Sequence, residues 1–212
     1  MTATLELEAE IEEIVRKQTA AAGSAPKGID RIVLTGFMGS GKTSVGSVLA
    51  ERLGWRFLDL DAEIERRDGR SVPQIFAASG ERGGEAHFRK LETAALAALL
   101  GQRSVVVALG GGAPEELGNR LLLEQTPRTA VVYLAASLET LIARCEQEDA
   151  LAGTAGRPLL AEAEQRFAVR RQLYERIAGH HVETSARGIE QVADAILESL
   201  LENRARSRRT TR

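Results

Sequence analysis

Residues 36–43, GFMGSGKT, bring three glycines, an ammonium and a hydroxyl within eight positions. That set suits a phosphate. Glycines let consecutive backbone N–H groups turn inward onto phosphate oxygens, and a helix N-terminus adds partial positive charge. The spacing from Gly36 to Gly41, Lys42 and Thr43 fits G-x-x-x-x-G-K-[ST]. The apolar run Ile32, Val33 and Leu34 precedes it, and a helix-forming run, Thr43 to Leu53, follows. Lys42 can bridge β- and γ-phosphates, and Thr43 can hold Mg²⁺. A glycine turn that binds nothing is the plain alternative, but both flanks match the phosphate-loop context. The chain is therefore expected to bind a nucleoside triphosphate. No Asn-Lys-x-Asp stretch marks a guanine switch, and no Ser-Gly-Gly-Gln stretch marks a transport ATPase. A small-molecule kinase is the leading class.

Other stretches carry acceptor chemistry. In FLDLD, Asp59 and Asp61 alternate along a strand, so both carboxylates can point into one cleft at its carboxyl end. One can serve the metal and the other a substrate hydroxyl. Asp61 can instead cap the helix that starts there. In GEAHFRKLE, Arg89 and Glu92 are helical neighbours three apart. A surface ion pair is the usual reading of such spacing, although Arg89 follows the apolar Phe88. Gly110, Gly111 and Gly112 end an apolar run, where missing side chains allow a ligand to lie on backbone. Arg157 sits in a polar stretch able to close as a lid over a transferred phosphoryl group. Arg170 and Arg171 add further cations. A polyhydroxylated acid fits the whole set, with arginines for its carboxylate and an aspartate for its hydroxyls.

The elements that must position these residues follow from patterning. Strands are expected at 31–35, 55–58, 104–109, 129–134 and, more weakly, 180–183. Helices are expected at 42–53, 61–67, 72–79, 86–101, 114–125, 137–147, 162–178 and 188–203. Unalternating strands, each followed by a helix, imply a parallel sheet covered on both faces. Sites in such sheets form outside the carboxyl ends of the strands. Before this domain, residues 1–20 have the period of a short amphipathic helix, and a linker follows it. The expected division is therefore 1–29, 30–203 and a basic tail at 204–212.

The length of 212 residues suits one ordinary domain, and 43% hydrophobic with 27% charged residues suits a soluble globular one. A net charge of −2 gives no global field for nucleic acid. Cys145 is the only cysteine, so no intrachain disulfide forms, as in a reducing compartment. No signal peptide or membrane span is expected, which points to the cytoplasm. A monomer is expected, with a dimer through the N-terminal helix as the alternative.

With these residues in view, the chain resembles shikimate kinase from about residue 30 to 200. Five ordered stretches carry the resemblance: GFMGSGKT, FLDLD, GEAHFRKLE, the glycines 110–112, and RPLL with the later R-x-x-LY. The resemblance implies a three-layer αβα fold of the P-loop kinase type, with a five-stranded parallel sheet and a mobile lid at about 146–161. It implies ATP-dependent phosphorylation of the 3-hydroxyl of shikimate. Gly39, Ser40, Gly41, Lys42, Thr43 and Ser44 would bind ATP, with Arg144 and Arg187 flanking adenine. Thr43 would hold Mg²⁺, aided by Asp59. Asp61 would bind the shikimate hydroxyls and accept the proton. Arg89 and Arg170 would bind the carboxylate, with Glu92 orienting Arg89. Gly110, Gly111 and Gly112 would lie against the ring, and Arg157 would be the lid cation. The chain departs from the family in ASGERGGEAHFR, which has two Gly-Glu pairs and implies a four-residue insertion beside the acceptor pocket. The segment between Arg144 and Arg157 is also longer than the family's usual lid. Two rivals remain: a kinase of another hydroxy acid such as gluconate, and a nucleotide-binding sensor without turnover.

Overall fold

The computed structural model describes residues 26–152 and 160–210. Five strands form one sheet: β1 (Arg31–Thr35), β2 (Arg56–Asp59), β3 (Val105–Ala108), β4 (Thr129–Ala135) and β5 (His180–Glu183). Their spatial order is β2-β3-β1-β4-β5, and every pairing is parallel. The helices are α1 (Lys42–Leu53), α2 (Leu60–Asp68), α3 (Val72–Ala77), α4 (Gly84–Leu100), α5 (Leu117–Gln125), α6 (Leu138–Ala152), α7 (Leu160–Ile177) and α8 (Ile189–Thr210). A short 3₁₀ turn, Ala113–Glu115, precedes α5.

Strand periodicity divides the core into layers. On one face, Val33 of β1 packs with Ile64 of α2, Ile75 of α3 and Leu96 and Leu99 of α4. On the other, Ile32 and Leu34 pack with Val45 and Leu49 of α1 and with Val192 and Ile196 of α8. A third cluster of Phe37, Tyr133, Leu141 and Tyr174 lies beside α6 and α7. All five β1 residues are buried, which explains why that strand reads as a continuous apolar run. The three-layer architecture expected from the sequence is the one observed.

Register fixes where the chain leaves the sheet. Leu34 of β1 and Asp59 of β2 both pair with Ala108 of β3. Beyond those ends the segments stay together: a methyl on Gly110 would fall 2.8 Å from Asp61 Oδ1, and one on Gly111 would fall 3.8 Å from Gly36 O. This shared exit brings together the phosphate loop, the acidic helix start and the glycine run.

Several boundaries differ from expectation for local reasons. β2 runs to Asp59, and α2 starts at once at Leu60. The helix expected at 114–125 is interrupted: Ala113–Glu115 is a 3₁₀ turn, and α5 begins only at Leu117. α4 begins at Gly84, two residues early, after an extended Gly83. The stretch 80–83 before it closes as a turn, with Gly83 N donating to Gly80 O at 3.2 Å. Arg70 pins that turn by donating to Arg82 O at 2.9 Å, while Asp68 holds the same guanidinium. α8 continues to Thr210, into the stretch assigned to the basic tail. The expected N-terminal helix lies outside the described residues. Among those described, no helix is long and apolar enough to cross a membrane.

Leu34 is completely buried between β1 and the helix that starts in the phosphate loop. Leu34→Ala should cost about 2–5 kcal/mol, because a cavity opens that its neighbours only partly fill. Urea denaturation of both proteins measures this. A loss under about 1 kcal/mol would mean that the layer relaxes freely.

Candidate active site

The phosphate loop is held from several sides. Gly39 has φ +71°, and a methyl there would fall 2.5 Å from Leu141 O and 2.9 Å from Cys145 Sγ. Only glycine fits between the loop and α6. Gly41, also left-handed, starts α1 without a side-chain cap, so the first N–H groups of the helix are not taken by a capping side chain. The Lys42 ammonium lies across the loop, donating to Gly36 O at 2.9 Å, Phe37 O at 2.8 Å and Ser40 Oγ at 3.4 Å. Loss of water around it pulls its pKa down to about 8, although Asp61 and Asp59 work in the opposite direction.

Asp59 and Asp61 reach the edge in different ways. Asp59 is the last strand residue and the N-cap of α2. Its Oδ1 accepts from Asp61 N at 3.0 Å and Ala62 N at 3.3 Å. The cap is therefore Asp59, not Asp61, and strand alternation does not relate the two. The other Asp59 oxygen accepts from Thr43 Oγ1 at 3.3 Å. Hydroxyl and carboxylate together form a hard oxygen pair at the start of α1, which fits Mg²⁺. No group of three or more His, Cys, Asp or Glu able to hold a metal occurs among the described residues. A cation on this pair would take its remaining ligands from phosphate and water.

Asp61 sits in the first turn of α2 against the glycine run. A methyl on Gly110 would fall 2.8 Å from Asp61 Oδ1. Burial raises the Asp61 pKa, Asp59 raises it further, and Lys42 opposes both.

Two arginines approach from the other side. Arg89 of α4 donates to Glu92 Oε2 at 3.0 Å, to Glu85 Oε1 at 3.3 Å and to Glu115 Oε2 at 3.3 Å. Glu92 is 1% exposed and also accepts from Asn119 Nδ2 at 3.2 Å. Asn119 in turn donates to Ala113 O at 2.9 Å, tying α5 to the end of the glycine run. Arg170 of α7 donates to Glu115 Oε2 at 3.0 Å. Tyr174, one helical turn on, donates to Gly111 O at 2.6 Å and fixes that carbonyl. Arg171 turns away to Glu175.

Arg144 and Arg187 line a cleft of about 290 Å³ with Gly39, Ser40, Gly41 and Ser44. Arg144 donates to Thr184 O at 2.6 Å and Thr184 Oγ1 at 3.1 Å. It thus ties α6 to the segment after β5, beside the loop. A larger groove, about 1040 Å³, opens on the outer side of α4 and α5 near Lys90, Thr93 and Leu122. No phosphate-loop residue lines it, although Arg89 and Glu85 reach its rim. Arg157 and the middle of the expected lid, 153–159, lie outside the described residues; 146–152 belong to α6 and 160–161 to α7.

Sequence reasoning missed Glu115, Asn119 and Tyr174. Glu115 follows the glycine run by three residues but reads as a first-turn helix charge. Asn119 shows itself only through contacts in the fold, and Tyr174 closes the R-x-x-LY stretch but its bond to Gly111 O is visible only in the fold.

The sequence and fold match proteins already described. The family model for shikimate kinase matches residues 38–201. The shikimate kinase of Geobacter sulfurreducens is 49% identical over 137 residues, 65% of this chain and 69% of that protein. That of Bordetella avium is 41% identical over 175 residues, 80% of this chain and 78% of that protein. A solved structure, shikimate kinase from Acinetobacter baumannii in complex with shikimate, superposes with a TM-score of 0.70 at 39% identity. It covers 82% of this chain and 94% of that one. A phosphate loop and an arginine-lined pocket on one sheet edge, in a chain so closely matched, place this protein in the shikimate kinase family.

Proposed function

We propose that this protein transfers the γ-phosphoryl group of ATP to the 3-hydroxyl of shikimate. One observation carries the reading: Asp61 and Arg89 stand on the same sheet edge as Lys42, separated from each other by the glycine run. Such an edge holds a triphosphate and a hydroxylated acid face to face. ATP would occupy the loop from Gly39 to Ser44, its adenine entering the cleft lined by Arg144 and Arg187. Shikimate would lie on Gly110, Gly111 and Gly112, its carboxylate toward Arg89 and Arg170. Thr43 and Asp59 would hold Mg²⁺, whose chemistry there is to neutralise charge on the transferring phosphates.

The roles of the chain's own groups follow from charge. The Lys42 ammonium would exchange loop carbonyls for phosphate oxygens, and an anion beside it restores the proton affinity that desolvation lowers. Arg157, expected as a lid cation, would add a second positive group at the phosphoryl. Asp61 accepts a hydrogen bond from the acceptor hydroxyl and orients it in line. A strong base is not required if proton loss follows phosphoryl transfer. Its raised pKa still brings it nearer the range useful for accepting a proton. The reading takes the protein as a cytoplasmic monomer with ATP and shikimate as its partners.

ADP release with ATP, Mg²⁺ and shikimate should be robust, and weak with gluconate or no acceptor. Equal release with gluconate would reassign the acceptor, and none with any acid would favour a sensor. Lys42→Met should lower turnover by roughly 10²-fold or more with the fold intact. Arg89→Ala should raise the KM of shikimate far more than that of ATP; equal changes would make Arg89 structural.

Asp61 gives a stability test of opposite sign. Its folded pKa is raised, so ionisation costs stability, and that cost grows as pH rises through the folded pKa. Asp61→Asn should therefore raise the thermal midpoint at neutral pH while cutting turnover. The gain should fade in acid, where the wild-type carboxyl is protonated. A lower midpoint at neutral pH would contradict the assigned strain.

A further inference from the structure

Three carboxylates surround Arg89, and they are not equivalent. Glu92 is buried and shared with Asn119, so it is part of the frame. Glu85 is 69% exposed and meets Arg89 as an ordinary i,i+4 surface pair. Of the three, Glu115 is the one that bridges two arginines on different helices. Its single oxygen, Oε2, accepts from Arg170 at 3.0 Å and from Arg89 at 3.3 Å. The side chain is one-third exposed and stands on a three-residue turn at the end of the glycine run.

The Arg89–Glu115 contact lies directly on the glycine backbone at this point. A methyl on Gly112 would fall 2.9 Å from both Arg89 Nη2 and Glu115 Oε2. Arg170 also keeps a donor in reserve, since its buried Nε meets no acceptor among the described residues. The Glu115 contacts are long for charge-assisted bonds, which run near 2.7–2.9 Å, and neither is bidentate. A ligand carboxylate offering two well-placed oxygens would compete with such a partner.

We propose that Glu115 is a resident carboxylate that occupies the arginine pair and is exchanged for the carboxylate of the acceptor. This deepens the proposed function and rests on its assignment of Arg89 and Arg170 to the acid. Glu115 is then a positioning and specificity residue. It keeps two guanidinium groups together and sets a threshold that a bare anion must exceed. An acid that also gains hydroxyl contacts at Asp61 passes that threshold more readily.

Calorimetric titration of the full chain with shikimate, with gluconate and with shikimate methyl ester tests the exchange. In Glu115→Gln, which keeps shape and removes charge, affinity for the free acid should rise roughly three- to tenfold. In turnover assays the KM of the acid should fall in proportion, and that of ATP should not follow. The ester, which brings no anion, should gain nothing. Lower or unchanged acid affinity, or an equal gain for the ester, overturns the proposal, as does binding of neither acid to either protein. Glu115→Ala gives the same direction and serves if the glutamine variant does not fold. Wild-type turnover separates the two readings. Acid binding that tightens in the variant without any phosphorylation sinks the kinase reading alone. Phosphorylation with unchanged affinity sinks the exchange alone.

Discussion

The Glu92 carboxylate is shielded from water, and the acceptor half of the site is built around it. Burial pushes its pKa up, while the Arg89 guanidinium and the Asn119 amide pull the other way. A buried carboxylate is tolerable only with such donors. Each donor constrains a different element. Arg89 is fixed on α4, and Asn119 binds α5 to Ala113 at the foot of the glycine run. The frame therefore sets the distance between the arginine and the backbone platform before any ligand arrives. That is preorganisation in the sense that matters for positioning chemistry.

The phosphate half depends on the sheet instead. Parallel register ends β1, β2 and β3 at one edge, and the close fit of Gly39 against α6 locks the loop. The two halves meet electrostatically. Lys42 and Asp61 are both displaced toward their neutral forms by loss of water. An anion beside Lys42 would offset the cation's share of that desolvation cost.

What the sequence revealed depended on how local the determinant was. GFMGSGKT is legible because one backbone turn carries all its chemistry. Continuous burial makes β1, β3 and β4 legible as parallel strands. FLDLD was legible in composition but not in geometry. The strand ends one residue later than its apolar pattern, so Asp59 becomes the cap that Asp61 was offered as. The APE turn hid Glu115, because a 3₁₀ turn and a helix start share residue preferences. Asn119 and Tyr174 act through partners 27 and 63 positions away, beyond any periodicity. The Arg70 contact to Arg82 O is equally invisible, since its acceptor is a backbone carbonyl.

The central claim is that triphosphate and acid meet across this edge, with the carboxylate on the arginine side. A crystal structure with shikimate and a non-hydrolysable ATP analogue tests it most directly. The account predicts the shikimate carboxylate between Arg89 and Arg170, a ring hydroxyl at Asp61, and the terminal phosphate facing that hydroxyl beside Lys42. Shikimate seated in the outer groove by Thr93 and Leu122, or with its carboxylate turned toward Lys42, would contradict it.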